Sequence, residues 1–143
     1  MQIRIKRIDK TLPLPEYKTK GAAAFDLATR ASMTIAPGEV AYAPLNVVIE
    51  TPAGYMTLLA TRSSLHKRGL VMANGAGIID QDFCGNNDEV MAALYNFSNV
   101  PVTIERGERI LQVAIVPIEK AEWIEVDDME HEDRGGFGTT GKV

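Results

Sequence analysis

The chain has 143 residues, 45% of them hydrophobic and 24% charged, which suits one water-soluble domain with its own core. Its formal charge of −4 argues against a nucleic-acid surface, so an anionic ligand would need a locally positive pocket. The single Cys84 cannot form an internal disulfide, no apolar run reaches the length of a membrane span, and no secretory leader opens the chain; the expectation is a cytoplasmic protein without nucleic-acid or membrane partners.

Taken in chain order, the pattern is β. Ile3, Ile5 and Ile8 alternate with cations. Ala23 to Ala28 is an apolar strand carrying one acid, Asp26. Val40 to Glu50 is rich in β-branched and small residues and is broken by Pro44. Tyr55 to Ala60 follows the turn Pro52-Ala53-Gly54. Arg62 to Arg68 is the one helical stretch, about two turns, with Ser63 or Ser64 to cap it and Gly69 to end it. Val90 to Phe97 and Ile110 to Ile118 are longer apolar runs, the second closed by Pro117. Turn signals separate these runs at Pro37-Gly38, Asn74-Gly75, Gly85-Asn86-Asn87-Asp88 and Arg106-Gly107-Glu108. Many short strands at such spacing predict a sandwich, jelly roll or barrel.

The chain divides into residues 1–126, the β domain, and 127–143, an acidic tether followed by a Gly-rich tail. The tail has no hydrophobic periodicity. Its glycines let backbone N–H groups approach phosphate, Arg134 supplies a planar fork, and Phe137 offers a face to a base. A Gly-rich terminus without a ligand role has the same composition.

Four other segments carry candidate chemistry. Asn74 to Gly85 places three glycines around an apolar pair ending in Asp80, which predicts a β-hairpin with Asp80 at its mouth, where a fixed carboxylate can act as a general base on water. Phe83 lies three residues on, positioned to cover a sugar or base. An ordinary hairpin with acidic turn residues reads the same way. Arg62-Ser63-Ser64 either binds an anion or caps the helix. Asp26, in an apolar strand, needs a partner: a hydrated metal ion or an arginine. Arg109 and Gln112 sit at a strand start, after the turn at Gly107. His66 and His131 are far apart and Cys84 stands alone, so side chains offer no metal-ligand spacing. His66 is expected on an exposed helix face, and Trp123 in the core or an interface.

In this order, Phe25-Asp26-Leu27, Arg62-Ser63-Ser64, Gly77 to Gly85, Gly107 to Gln112 and Gly135 to Gly141 resemble the five motifs of the trimeric deoxyuridine triphosphatase (dUTPase) family, from about residue 21 to the C-terminus. The resemblance implies an all-β distorted jelly roll in a homotrimer, with sites at subunit interfaces and a mobile C-terminal tail closing over a site. It implies hydrolysis of dUTP to dUMP and pyrophosphate with Mg²⁺. Asp80 is then the base for in-line attack on the α-phosphorus. Asn74 and the backbone around Gly77 and Ile79 read the uracil edge, and Phe83 packs under the deoxyribose. Arg62, Ser63 and Ser64 hold the phosphates with Gln112 beside them, and Asp26 holds waters on the metal. Arg134, Phe137 and Gly138 close over the γ-phosphate and uracil.

The chain departs from the family pattern in three places. Phe83 stands where tyrosine is usual. The segment Gly85 to Glu89 is longer than the usual turn. Arg134 precedes Phe137 by three positions rather than five, the fifth being Glu132. The related dCTP deaminase, or a bifunctional deaminase/diphosphatase of the same fold, is the first alternative; deamination needs a glutamate where this chain has Ala93, and Glu89 lies nearby in sequence. A catalytically weak nucleotide-binding regulatory trimer is the second. Gly136 to Lys142 nearly spells a P-loop, but Val143 replaces the Ser/Thr and no helix can follow.

Overall fold

Alternating burial turns the sequence into eleven strands and one short helix in the computed structural model, which describes residues 1–136. The strands are β1 (Ile5–Arg7), β2 (Phe25–Ala28), β3 (Met33–Ile35), β4 (Val40–Pro44), β5 (Val47–Ile49) and β6 (Tyr55–Thr61). After a 3-10 helix, Leu65–Arg68, come β7 (Leu70–Met72), β8 (Gly77–Ile79), β9 (Met91–Asn96), β10 (Val102–Ile104) and β11 (Arg109–Pro117). They form antiparallel sheets in the orders β2-β11-β6-β8, β4-β9-β7, β1-β5 and β3-β10. This is an all-β jelly roll.

The core lies between the sheets and is aliphatic: Leu27, Ile35, Leu45, Leu94, Ile104, Ile110 and Leu111 are fully buried. Strand β9 shows the mechanism, with Ala92, Leu94 and Asn96 inward and Met91 and Tyr95 outward. The inward Asn96 is not left unpaired, because its amide donates to Ile35 O and Val100 O at 2.9 and 2.8 Å.

The structure differs from the sequence reading at several points. Val40 to Glu50 is two strands in two sheets, because Asn46 takes a left-handed conformation (φ 67°) after Pro44 and turns the chain. Strands β3, β7, β8 and β10, three residues each, were too short to carry a visible period. The helix is only Leu65–Arg68; Ser64 takes the N-cap place without a side-chain bond, and Gly69 ends it at φ 82°. Any side chain at Gly69 would collide with Ser98, whose Cβ lies 2.6 Å from the place of an added Cβ.

The expected hairpin around Asp80 is not formed. Strand β8 pairs with β6, and residues 80–90 contain no partner strand. The polar run closes on itself instead: Asp88 N–H donates to Gly85 O at 3.0 Å, and Gly85 N–H donates to Asp88 Oδ2 at 2.6 Å. Trp123 is not in the core; it is 91% exposed, in a segment beyond β11 where residues 119–136 are exposed throughout. His66 is exposed, as expected.

Candidate active site

Strand β11 runs between β2 and β6, and this brings three sequence-distant segments together. Gln112 faces Asp26 on β2 and Ala60 on β6. Its side-chain amide donates to Thr61 O at 3.0 Å. The β2–β11 register shifts between Arg109 and Leu111. Arg109 Nη1 donates to Asp26 Oδ2 at 2.8 Å, and Arg62 Nε lies 3.3 Å from Asp26 Oδ1. The partner of the strand carboxylate is therefore a pair of arginines. The Asp26 side chain is 16% exposed, where an unpaired charge would be costly, and two guanidiniums offset that cost.

Ser63 and Ser64 follow in an exposed turn. The Ser64 hydroxyl makes no capping hydrogen bond to the helix. A cavity opens beside them, lined by Arg62, Ser64, Arg68, Glu108 and Arg109. Sequence reasoning passed over Arg68 and assigned no role to Arg109. The available signal was a cation at a strand start two residues after the turn glycine Gly107.

Asp80 stands elsewhere. In the β6–β8 ladder Thr57 faces Ile79, Leu58 faces Ile78 and Leu59 faces Gly77. Gly77 is buried against Leu59, whose Cδ1 would lie 2.8 Å from an added Cβ. Ile79 points into the core, so only its backbone is open to a ligand. The next residue, Asp80, is exposed and lines a cavity with Tyr55, Met56, Asp82 and Lys120. Asn74 sits exposed at the turn before β8, with Gly75 at φ 73° and its N–H donating to Met72 O at 3.1 Å. Phe83 is 42% exposed, a ring open to a ligand face. Asp80 follows the Thr57–Ile79 pair, so it lies level with Met56, six residues from Arg62. At about 3.3 Å per residue that separation is about 20 Å. One chain does not bring Asp80 to Arg62, Ser63 and Gln112.

The tail is described to Gly136; Arg134 is exposed, and Phe137 and Gly138 lie outside the described residues. Glu89 is bonded to Arg30 and Asn46. Its carboxylate accepts from Arg30 Nε and Nη2 at 2.7 and 2.9 Å and from Asn46 N–H at 2.8 Å. The Glu89 hydrogen bond raises the pKa of Arg30. Ala93, in β9, faces Tyr42.

No group of three metal-ligating side chains exists among the described residues. Asp26 has lone pairs to spare after its two arginine contacts, which suits a hydrated ion carried by a polyphosphate better than one caged by the protein. No helix of the described residues is long and apolar enough to cross a membrane.

The family model described as dUTPase matches residues 10–141. The deoxyuridine 5'-triphosphate nucleotidohydrolase of Dictyoglomus turgidum is 39% identical over 148 aligned positions, covering 99% of each chain. That of Shewanella sp. (strain MR-7) is 39% identical, covering 99% of this chain and 95% of the relative. Among solved structures, the dUTPase of Streptococcus mutans is 31% identical with a TM-score of 0.76, covering 83% of this chain and 98% of that one. The dUTPase of Staphylococcus bacteriophage 80alpha, solved with dUPNHPP, is 26% identical with a TM-score of 0.84, covering 98% of each chain.

Proposed function

We propose, from the premise that this chain belongs to the dUTPase family and hydrolyses dUTP to dUMP and pyrophosphate, that its residues divide the work between two separated ends of β6. The observation that carries the reading is the convergence of two arginines on Asp26, with Gln112, Ser63 and Ser64 beside them, about 20 Å from Asp80. The first end has the chemistry of a phosphate site. The second has an exposed carboxylate, with the open ring of Phe83 three residues on.

A complete site then needs Asp80 from one copy and Arg62 from another, which supports a homotrimer with sites between subunits. Asp80 accepts a proton from the attacking water, and the oxygen attacks the α-phosphorus in line with the pyrophosphate leaving group. Asn74 and the backbone at Gly77 and Ile79 hold the uracil edge. Phe83 lies against the deoxyribose, where a 2′-hydroxyl would not fit. Arg62, Ser63, Ser64 and Gln112 position the phosphates and neutralise charge, which supplies most of the rate in such a transfer. The family uses a divalent metal, and we assign Mg²⁺, which would supply charge neutralisation to the phosphates. Asp26 would hold that ion through water rather than ligate it directly. The tail closes over the γ-phosphate and uracil through Arg134, Phe137 and Gly138 and excludes bulk water. Residues 1–126 form the catalytic domain and 127–143 the closing arm, acting in the cytoplasm on a free nucleotide.

No observation favours the deaminase. Ala93 cannot move a proton, and Glu89 is committed to Arg30 and Asn46. The test is a turnover panel of dUTP, dCTP, dTTP and UTP with Mg²⁺, scoring pyrophosphate, orthophosphate and ammonia. Pyrophosphate from dUTP alone is expected. Ammonia from dCTP would move the chain to the deaminase, and no turnover of any nucleotide would favour the regulatory trimer.

A further inference from the structure

The cavity beside Ser64 holds more positive charge than Asp26 neutralises. Arg62 and Arg109 share that one carboxylate, and Arg68 pairs with Glu108. Three guanidiniums therefore meet two carboxylates around one opening, in a chain whose overall formal charge is −4. A locally positive pocket on a negative protein is what an anionic ligand requires. Arg68 closes the 3-10 helix that Ser64 opens, so the serine and the guanidinium present themselves to the same cavity from two ends of one short element.

We propose that Arg68 is a further polyphosphate-binding residue, held by Glu108 in the free protein and transferred to phosphate oxygens when substrate enters; this rests on the hydrolytic reading above. A guanidinium carries five N–H donors, and Arg68 directs its bonds to Glu108 and to Thr103 O, leaving others for a ligand. The pair is partly open to water, with side chains 36% and 30% exposed, so exchanging one anion for another costs little. Glu108 is not stranded by the exchange, because its second oxygen accepts the Glu105 N–H at 3.1 Å. Incoming phosphate repels the Glu108 carboxylate and attracts Arg68, and both effects favour the transfer. The number of phosphates is thereby read by a residue outside the Asp26 cluster.

The competing role for Arg68 is a brace between the helix and strands β10 and β11, and the test separates the two. Arg68→Gln, Arg68→Lys and Glu108→Gln are compared with the unaltered protein in inhibition by inorganic tripolyphosphate and by dUMP, in KM and kcat for dUTP, and in melting temperature. For Arg68→Gln the tripolyphosphate Ki and the dUTP KM should rise about tenfold or more, while inhibition by dUMP stays put. Arg68→Lys should fall between, having the charge without the fork. Glu108→Gln should tighten tripolyphosphate inhibition. Equal weakening toward dUMP and tripolyphosphate, or no change toward either, overturns the proposal in favour of the brace. If Arg68→Gln does not fold, Glu108→Gln decides: unchanged or weaker tripolyphosphate inhibition overturns it. An unaltered protein that turns over no dUTP contradicts the hydrolytic reading instead, and calorimetric titration of tripolyphosphate into it and into Glu108→Gln still settles Arg68.

Discussion

Asp80 and Arg62 stand at opposite ends of strand β6: Asp80 is level with Met56 through the Thr57–Ile79 pair, and Arg62 follows Thr61 at the far end. A water activated at one cannot reach a phosphate held at the other within the same chain. Asp80→Asn and Arg62→Gln should each abolish most dUTP turnover. When the two variants are mixed under conditions that exchange subunits, about one quarter of the sites should pair an intact Asp80 with an intact Arg62. Activity should recover to about that fraction. No recovery after demonstrated exchange would place both residues in the same copy's site.

Asp80→Asn by itself should lower kcat by about 10²- to 10⁴-fold, the range of a positioned general base. Affinity for a non-hydrolysable dUTP analogue should be retained, since the amide keeps the shape and removes only the proton acceptor. Normal turnover would remove Asp80 from the chemistry.

Deleting residues 134–143 should cut kcat without lowering the melting temperature. Residues 119–136 are exposed, and Trp123 at 91% exposure contributes nothing to the core of one chain. An unaltered rate would make the tail a bystander, and a lower melting temperature would show that it braces the fold.

Glu89→Gln should destabilise by about 1–3 kcal/mol, because the Arg30 charge and the Asn46 N–H lose a carboxylate that is 12% exposed. The lower part of that range suits a partner, Arg30, that is 36% exposed. Urea unfolding measures it, and dUTP turnover below the melting transition should persist. Loss of turnover in a folded variant would implicate Glu89 in the reaction.

Asp9 should make the fold sensitive to acid. Its pKa is lowered well below the usual carboxylate range, first by the Thr11 hydroxyl and then by Arg106, whose Nη2 donates to Asp9 Oδ2 at 2.7 Å. A depressed folded value contributes stability above the unfolded value of about 3.9 and loses it progressively as pH falls below that. Melting temperatures of the unaltered protein and Asp9→Asn should differ at pH 6 and converge toward pH 2. A constant difference would mean that Asp9 is not the titrating group.

The long strands were legible because their period shows over several residues: β6, β9 and β11 sit within one or two residues of the apolar runs that predict them. The turns at Gly38, Gly54, Gly69, Gly75 and Gly107 were legible because each needs a left-handed backbone. Strands such as β3 and β10 were not, since three residues carry no distinguishable period and are strands only because each finds the other.

Motif order by itself determined the family and, through it, the reaction, since residue types such as Asp80, Ser63 and Gln112 state what chemistry is possible. Only the tertiary structure decided how those residues are grouped. The sequence left Asp26 between a metal ion and an arginine, and the β2–β11–β6 ladder gave it two arginines, one of them, Arg109, with no assigned role before. The sequence suggested a hairpin around Asp80, and pairing of β8 with β6 replaced it and set Asp80 about 20 Å from Arg62. Side-chain chemistry is local and is written residue by residue. Proximity is set by register between distant strands, and register is fixed only when one face of each strand is buried against the rest of the chain.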